Sequence, residues 1–438
     1  MQTASKKVIN GWAMYDWANS VYNLVITTTF FPIYFTAITK NADGSDIVSF
    51  MGRKFVNSSL YDYTLAASYL LVALFYPILT SVADTRGNKK SFMKFFCYLG
   101  AFGCSLLFFF NAGNLWLGVL AFMMACMGYV GSVVFYNAYL PEIAAPEDRD
   151  RISAKGYSYG YIGSVLMQAI GFGLVLMIKD DPLLGPRITF LLVGLWWLGF
   201  AQITFARLPK VNRQQLKKVN IFTDGFKEVK KVYGEIKQLP LLKRFLRGFF
   251  FYSMGVQTVM LAATLFGSKL LGLEDTKLII TVVLIQLVAI VGAIVMSRLS
   301  EVYGNIKVLM GVVLFWIVVC IAAYFTAQVK ENGRDPEYLF YGLAMAVGLV
   351  MGGIQSLSRS TYAKLMPETK DTASYFSYYD LTEKIAIVIG IFSFGFIEEL
   401  TGSMKNSVLS LIVFFVIGFA WLLSALAKQK EQMAAVKG

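Results

Sequence analysis

The sequence has no histidine, few cysteines and few charged residues, and each shortage excludes a class of protein. Of its 438 residues 15% are charged and 57% are hydrophobic, whereas a soluble protein of this size needs more charge to cover its surface. Without histidine, imidazole proton relays and histidine metal sites are excluded. The four cysteines lie inside apolar runs without metal-ligand spacing, so we expect packing roles for Cys97, Cys104, Cys126 and Cys320.

Long apolar runs make up most of the chain. Twelve runs are long enough to cross a bilayer as helices. The composition therefore predicts an all-α membrane protein with twelve transmembrane helices in two pseudo-symmetric six-helix bundles. The predicted spans are 11–39, 59–82, 91–111, 114–139, 156–178, 187–206, 244–270, 276–299, 306–327, 338–361, 374–398 and 406–427.

The one long polar segment, Arg207–Lys243, lies between the sixth and seventh spans. It carries ten Lys/Arg against three acids, which is +7 of the chain's net +13. We therefore predict three parts: a bundle over 1–206, a basic linker over 207–243, and a second bundle with a short tail over 244–438. A helical spacing of apolar residues predicts a surface helix near anionic lipid, carried by Phe222, Phe226, Val229, Tyr233 and Ile236.

The lysines and arginines concentrate in alternate loops. By the positive-inside rule the richer set, which includes the linker and both termini, is cytoplasmic. This predicts a multi-pass protein of the bacterial inner membrane with both termini inside. Because the basic residues cluster between spans, the membrane accounts for the net charge and no nucleic-acid partner is expected.

The two halves repeat a loop motif. Asp84, Gly87-Asn88 and Lys90 follow the second span, and Glu301, Gly304-Asn305 and Lys307 follow the eighth, at an offset of 217 residues. A second pair, Tyr136…Pro141-Glu142 and Tyr362…Pro367-Glu368, follows the fourth and tenth spans. Matches at equivalent loops argue for a duplicated bundle with the binding site between the halves.

The loop after the second span resembles the signature of the major facilitator superfamily at Asp84, Gly87, Lys89 and Lys90; Thr80, Thr85 and Asn88 depart from it. A narrower resemblance, to the UMF1 family related to Atg22-like vacuolar effluxers, rests on two strings: Tyr15-Asp16-Trp17-Ala18-Asn19-Ser20-Val21-Tyr22 and Gly352-Gly353-Ile354-Gln355-Ser356-Leu357-Ser358-Arg359-Ser360. The resemblance implies a secondary transporter, and a conformational gate that includes Asp84, Gly87, Lys89 and Lys90 with Glu301 and Gly304 of the repeat. Its yeast members are linked to vacuolar amino acid efflux. The resemblance also implies an acid before Gly-Val-x-Thr in span 7, where this chain has Met254.

The eleventh span is short of apolar residues. Its uncharged run, 385–397, gives about 20 Å of helix, whereas the hydrocarbon core is about 30 Å thick. The span must therefore include Tyr378, Tyr379, Asp380, Glu383 and Lys384. Asp380 and Lys384 are spaced to pair, which predicts Glu383 as a lone carboxylate, either a proton-coupling site or part of a structural ion pair.

Other polar residues inside spans are candidates for the solute site. Asp16, Ser20, Asn23 and Thr27 form one helical stripe; Asp16 either lines a cavity with this stripe or lies at the inner interface. Arg359 is predicted to snorkel to the inner surface in a gate or packing role, with binding of an anionic solute group as the alternative. Further candidates are Asn19, Gln168, Gln257, Gln286, Gln355 and Tyr379.

Two glycine spacings, Gly156-x-x-x-Gly160 and Gly348-x-x-x-Gly352, predict close helix packing.

No Walker sequence is present, so ATP is not the direct energy source. We expect a monomeric, cofactor-free transporter of a small polar solute, amino acids first, with H+ as a possible coupling ion. The alternatives are an exporter of amphipathic compounds and a non-transporting membrane scaffold or sensor.

Overall fold

The computed structural model describes residues 2–41, 44–209 and 221–437. The helices, numbered along the chain, are α1 Lys6–Val21, α2 Phe31–Ile38, α3 Asn57–Arg86, α4 Lys89–Leu106, α5 Leu115–Ala138, α6 Leu140–Ile143, α7 Arg149–Met177, α8 Leu184–Arg207, α9 Ile221–Gln238, α10 Pro240–Leu265, α11 Asp275–Tyr303, α12 Asn305–Glu331, α13 Glu337–Leu365, α14 Thr372–Thr401 and α15 Met404–Lys437. Two π-helical segments, Tyr22–Phe30 and Phe266–Leu270, follow α1 and α10. Short 3₁₀ turns lie at Leu107–Phe109, Ala112–Asn114 and Pro146–Asp148.

Long apolar helices confirm the predicted all-α membrane fold. In the described part of the chain ten helical stretches are long and apolar enough to cross a membrane, the first running from Lys6 to Ile38 through the π segment. The seventh and eleventh predicted spans are α10 and α14, which are equally long but begin with or carry charged residues. We call the end of the bundle that holds the N-terminus, α9 and the start of α14 the linker end, and the opposite end the hairpin end.

A small hairpin follows the first span and departs from the all-α prediction. Strand β1, Ile47–Phe50, pairs antiparallel with β2, Arg53–Val56. The two loop residues, Met51 and Gly52, have φ values of 51° and 75°, as a two-residue hairpin turn requires. Phe50 packs on Trp116 at the start of α5, with ring centroids 4.3 Å apart. The hairpin therefore closes over the end of the first bundle.

The first span, predicted over 11–39, runs from Lys6 to Ile38, but a π-helical segment interrupts its α-helix. Tyr22–Phe30 forms π-type hydrogen bonds to the fifth residue back. Each turn then holds more residues than an α-helical turn, so the spacing that aligned Asp16 with Thr27 no longer places them on one face. The hydroxyl of Thr29 stabilises the widened turn by donating to the Leu24 carbonyl over 2.8 Å.

Glycines allow the backbones of two helix pairs to approach closely, as both glycine spacings predict. A Cβ built on Gly348 would lie 2.5 Å from the Ile285 carbonyl oxygen, and one on Gly352 would collide with that of Ala289, so α13 packs directly on α11. On α7, a Cβ at Gly156 would strike the Asp16 carboxylate and one at Gly160 the Ser20 hydroxyl. α7 therefore lies tightly against α1.

The linker helix α9 docks on the transmembrane helices and contacts both α3 and α14. Val232 and Ile236 are buried. Lys231 pairs with Asp371 at 2.8 Å, and the Tyr375 hydroxyl donates to Glu235 over 2.7 Å. Of the predicted apolar stripe, Ile236 is buried, whereas Tyr233 is half exposed and stacks on Tyr378. The predicted side-chain positions of Phe222, Phe226 and Val229 lie outside the described side chains.

Candidate functional site

The centre of the site is a pair of adjacent, oppositely charged residues on α14. Glu383 lies eleven residues into a helix of 30, which places it about 17 Å along a helix of about 45 Å. The Lys384 ammonium lies 3.0 Å from the Glu383 carboxylate. Their side chains are 17% and 21% exposed although they lie between the two bundles. We interpret this exposure at mid-helix as the wall of a central cavity.

The prediction that Lys384 pairs with Asp380 and leaves Glu383 alone is wrong. The Lys384 ammonium donates to one carboxylate oxygen of its sequence neighbour Glu383, and Gln257 of α10 donates to the other Glu383 oxygen over 3.1 Å. The four-residue spacing permits a pair with Asp380 but does not require it. The lone carboxylate is therefore Asp380.

Helices of both halves meet at this pair. The Lys384 ammonium lies 5.4 Å from the centre of the Tyr69 ring on α3, a cation–π distance. On the opposite side Gln257 joins Glu383 to α10. Tyr161 of α7 donates to Gln355 of α13 over 2.7 Å, which adds a second polar bridge between the halves. The candidate site thus contains one cation, one anion and neutral hydrogen-bonding groups.

Asp380 is buried on the same helix, one turn nearer the linker end. It is 3% exposed, and among the described residues its Oδ2 has no hydrogen-bond partner. The side chain of Asn137 on α5 faces it. Tyr379, also predicted for the site, instead packs in an aromatic cluster, 4.3 Å from Phe249 and 5.0 Å from Tyr362 between ring centroids.

Asp16 and Arg359 form a second charged centre between the halves. Arg359 Nη1 lies 3.2 Å from Asp16 Oδ2, and the Tyr136 hydroxyl donates to the same oxygen over 2.7 Å. Arg359 also donates through Nε and Nη2 to the Ser153 hydroxyl and carbonyl, and through Nη1 to Asn137. The ion pair therefore links α1 to α13 with every partner supplied by the protein.

Arg359 does not snorkel, which corrects that expectation. It is 2% exposed, and its guanidinium lies 4.3 Å from the Tyr157 ring centre, 4.9 Å from Trp12 and 5.4 Å from Tyr136. Arginine stacks on aromatic faces more readily than lysine because its charge is planar and weakly hydrated. The three rings and the Asp16 carboxylate hold the side chain inward.

The linker end is closed by a network around Asp84 and Lys89. Asp84 Oδ2 accepts from the backbone N–H and the hydroxyl of Ser374, over 2.7 and 2.8 Å. Lys89 pairs with Asp84 at 3.0 Å and with Glu142, and donates to Thr372 over 2.6 Å. The carboxylate lies where the first N–H groups of α14 are unsatisfied, a favourable position for an anion. Loops of the first half are thus bonded to the second half.

A second network closes the same end. Asp150 of α7 accepts from Ser300 and Asn305 over 2.7 and 2.6 Å and pairs with Lys364 at 2.5 Å. Here the first half supplies the acid and the second half the donors. Asp150 and Lys364 are functional candidates that sequence reasoning missed; an acid within the basic string Arg149-Asp150-Arg151 was the available signal.

The other predicted gate residues lie apart from these contacts. The Glu301 side chain is exposed, because the turn of α11 directs its neighbour Ser300 towards α7; the gate prediction for Glu301 is not supported by a contact. Gly87 and Gly304 end α3 and α11 with φ of 59° and 84°, a left-handed termination that favours glycine. Lys90 donates to the Leu208 carbonyl within the first half over 2.9 Å.

The remaining predicted site residues are either buried or partly exposed. Gln168 is fully buried; it donates to the Leu24 carbonyl and accepts from Gln286 of α11 over 3.0 Å. Asn19 and Thr27 are buried, and within the described part of the chain the Asn19 amide nitrogen and Thr27 hydroxyl have no partners. Ser20 and Asn23 are partly exposed.

Comparison with protein families shows which family the chain belongs to. The family model described as "Vacuole effluxer Atg22 like" matches residues 4–435. The chain belongs to this Atg22-like family. It is 31% identical to an uncharacterized MFS-type transporter, YxiO, from Bacillus subtilis, over 94% of this chain and 93% of that protein. It is 25% identical to autophagy-related protein 22 from Kluyveromyces lactis, over 94% and 92%.

Solved structures share the fold at low identity. A bacterial homologue of the iron transporter ferroportin in an outward-facing state has a TM-score of 0.69 at 14% identity, over 96% of this chain and 98% of that one. The human organic anion transporter MFSD10 has a TM-score of 0.72 at 13% identity, over 95% and 99%. The Atg22-like chain is therefore a multi-pass membrane transporter with the major facilitator fold.

Proposed function

We propose that this protein is a secondary active transporter of a small zwitterionic solute, with amino acids as the first candidates. The observation that carries the proposal is the Glu383–Lys384 pair, partly exposed at mid-helix between the halves. An amino acid presents an ammonium group and a carboxylate two bonds apart. It can exchange one internal ion pair for two, with the ammonium at Glu383 and the carboxylate at Lys384.

The two networks at the linker end support alternating access. They join the halves through Asp84–Ser374 and Asp150–Lys364 contacts, and the Asp16–Arg359 pair lies beneath them. Breaking these contacts and forming others at the hairpin end would move the central site from one side of the membrane to the other. The solute crosses without chemical conversion, and the protein works as a monomer in lipid.

We place the linker end in the cytoplasm. The loops and termini at this end are rich in Lys and Arg, as cytoplasmic loops are. The protein then lies in the plasma membrane with both termini inside and with its solute site closed to the cytoplasm. The proton is the proposed coupling ion.

Export of amphipathic compounds is a second candidate, favoured by the rings and thioether beside the polar site. Tyr69 lies under Lys384, and Gln355 donates to the Met260 sulfur over 3.4 Å. An amphipathic cation such as ethidium would need the aromatic surface and one acid, but not Lys384. The two candidates therefore differ in their dependence on Lys384.

Binding to purified protein tests the proposal. We expect leucine to raise the thermal unfolding temperature, whereas leucine methyl ester, which lacks the carboxylate, and N-acetylleucine, which lacks the ammonium, should not. Lys384→Met should remove the leucine effect. If ethidium stabilises the wild type and Lys384→Met equally while no amino acid in a full panel binds, the amphipathic function replaces the proposed one.

A further inference from the structure

The carboxylate of Asp380 is buried between the two halves, where the nearest cations, Lys384 and Arg359, are already paired with Glu383 and Asp16. Its Oδ2 has no partner among the described residues, and the side chain is 3% exposed. Lys384 lies one turn further along α14, but its ammonium is 3.0 Å from Glu383. An ionised carboxylate in this position would have the Asn137 side chain as a partner but no cation of its own, whereas a buried charge needs an ion pair or several hydrogen bonds.

The charges around Asp380 already cancel in pairs. Glu383 is matched by Lys384, and Asp16 is matched by Arg359. The polar and titratable groups that face Asp380 are Glu383, Lys384 and Tyr379 of α14, Arg359 and Tyr362 of α13, Tyr76 of α3, Asn137 of α5 and Tyr157 of α7. From α10, Gln257 and Tyr252 face Glu383 instead. With Asp380 ionised the cluster carries one net negative charge in a region of low dielectric.

We propose that Asp380 binds the coupling proton, and that its protonation prepares Lys384 to receive the carboxylate of the solute. When Asp380 is ionised, it competes for Lys384, which its four-residue spacing brings within reach. When Asp380 carries a proton, the Lys384 ammonium is left paired with Glu383, the arrangement seen in this structure. A zwitterion can then separate that single pair, and the loaded cluster is neutral.

This inference rests on the proposed function and adds that the proton and the solute cross the membrane in the same direction. Because the proton and the solute favour each other's binding, they bind together and are carried together, one proton with each solute. The transfer is a simple protonation: Asp380 Oδ2 gains a proton from water on the open side and returns it to water on the other. Asn in place of Asp imitates the protonated form.

Two measurements test the inference on the full-length protein. The first needs no solute: infrared spectra are recorded while the pH is raised from mildly acidic to mildly alkaline. In the wild type we expect a protonated carboxyl band that shifts when aspartate is labelled with heavy carbon in its carboxyl group and that disappears at alkaline pH. The band should persist in Glu383→Gln and Asp16→Asn. It should be absent in Asp380→Asn. The same band in Asp380→Asn, or no labelled aspartate band in the wild type, overturns the proposal.

The second measurement uses leucine as the probe and follows its dissociation constant against pH. Above the titration range of the carboxyl, the wild-type constant should rise by up to about tenfold per pH unit, the slope for one linked proton. In Asp380→Asn the constant should stay near its acidic wild-type value. A steep slope that persists in Asp380→Asn contradicts the inference but not the proposed transport function. Absence of leucine binding counts against the proposed function, and the infrared result alone then decides whether Asp380 binds a proton.

Discussion

Asp16 of α1 and Arg359 of α13 are joined by a buried ion pair of 3.2 Å that connects the two halves of the protein. The two residues are 343 positions apart in sequence, and each lies in one of the two strings by which the family was first identified. Their contact adds a buried charge pair, with aromatic and hydroxyl support, to the Asp84 and Asp150 networks that close the linker end.

Neutralising one partner should open the linker end. Asp16→Asn leaves the Arg359 charge buried without its carboxylate, and breaking a buried pair in this way costs about 3–5 kcal/mol. We expect spin labels at Lys7 and Lys307, which are exposed at the linker end of the two halves, to move apart in electron resonance distance measurements.

Two controls accompany this prediction. The double variant Asp16→Asn/Arg359→Gln removes both charges and should recover part of the closed population. Glu431→Gln, which breaks an exposed pair with Lys428, should leave the distance unchanged. An unchanged distance in Asp16→Asn itself would show that the ion pair does not hold the end closed.

Corresponding acids in the repeated loops should behave differently. Asp84→Asn weakens the bonds to Ser374 and Lys89, whereas Glu301 is exposed, so Glu301→Gln should have no effect. Charged hydrogen bonds of this kind contribute about 1.5–3 kcal/mol each, enough to raise the open fraction at least about tenfold. The same spin-label pair measures it, and equal effects of the two variants would refute the assignment of the gate to Asp84.

The docked linker helix gives a third prediction. Tyr375→Phe removes the hydroxyl that donates to Glu235, a loss of about 1 kcal/mol, so backbone amides of 221–238 should exchange with deuterium about fivefold faster. Lys230→Met, on the exposed side of the same helix, is the matched control. Exchange that is equally fast in the wild type and in Tyr375→Phe would mean that the helix is not held by this contact.

Cysteine labelling from each side of the membrane tests the predicted orientation. Cysteines introduced at Gly225 in the linker and at Ser45 before the hairpin should react with impermeant reagents only from the cytoplasm and only from outside, respectively. The four native cysteines are buried, so background labelling should be low. Labelling of both positions from one side would invalidate the topology.

The sequence predicted the long helices well, because apolar length and loop charge determine them directly, but helices such as Arg149–Met177 and Met404–Lys437 extend well beyond the predicted apolar spans. It also placed Asp380, Glu383 and Lys384 in the membrane from the shortness of the run after them. The partner of Lys384 could not be predicted from the sequence, because it depends on Gln257 and Tyr69, which lie on other helices. For the same reason Arg359 was expected to snorkel, since its ring partners come from α1, α5 and α7. The π segment after α1 leaves no signal in residue spacing alone.

Counterflow in proteoliposomes tests the central claim most directly. Vesicles loaded with unlabelled leucine are diluted into buffer with radiolabelled leucine at equal pH on both sides, and the transient accumulation of label is followed. The account predicts saturable counterflow in the wild type, its retention in Asp380→Asn, and its loss in Glu383→Gln and Lys384→Met. Counterflow that survives in both Glu383→Gln and Lys384→Met, or that no amino acid produces in the wild type, would contradict the claim that this ion pair is the binding site of a zwitterion transporter.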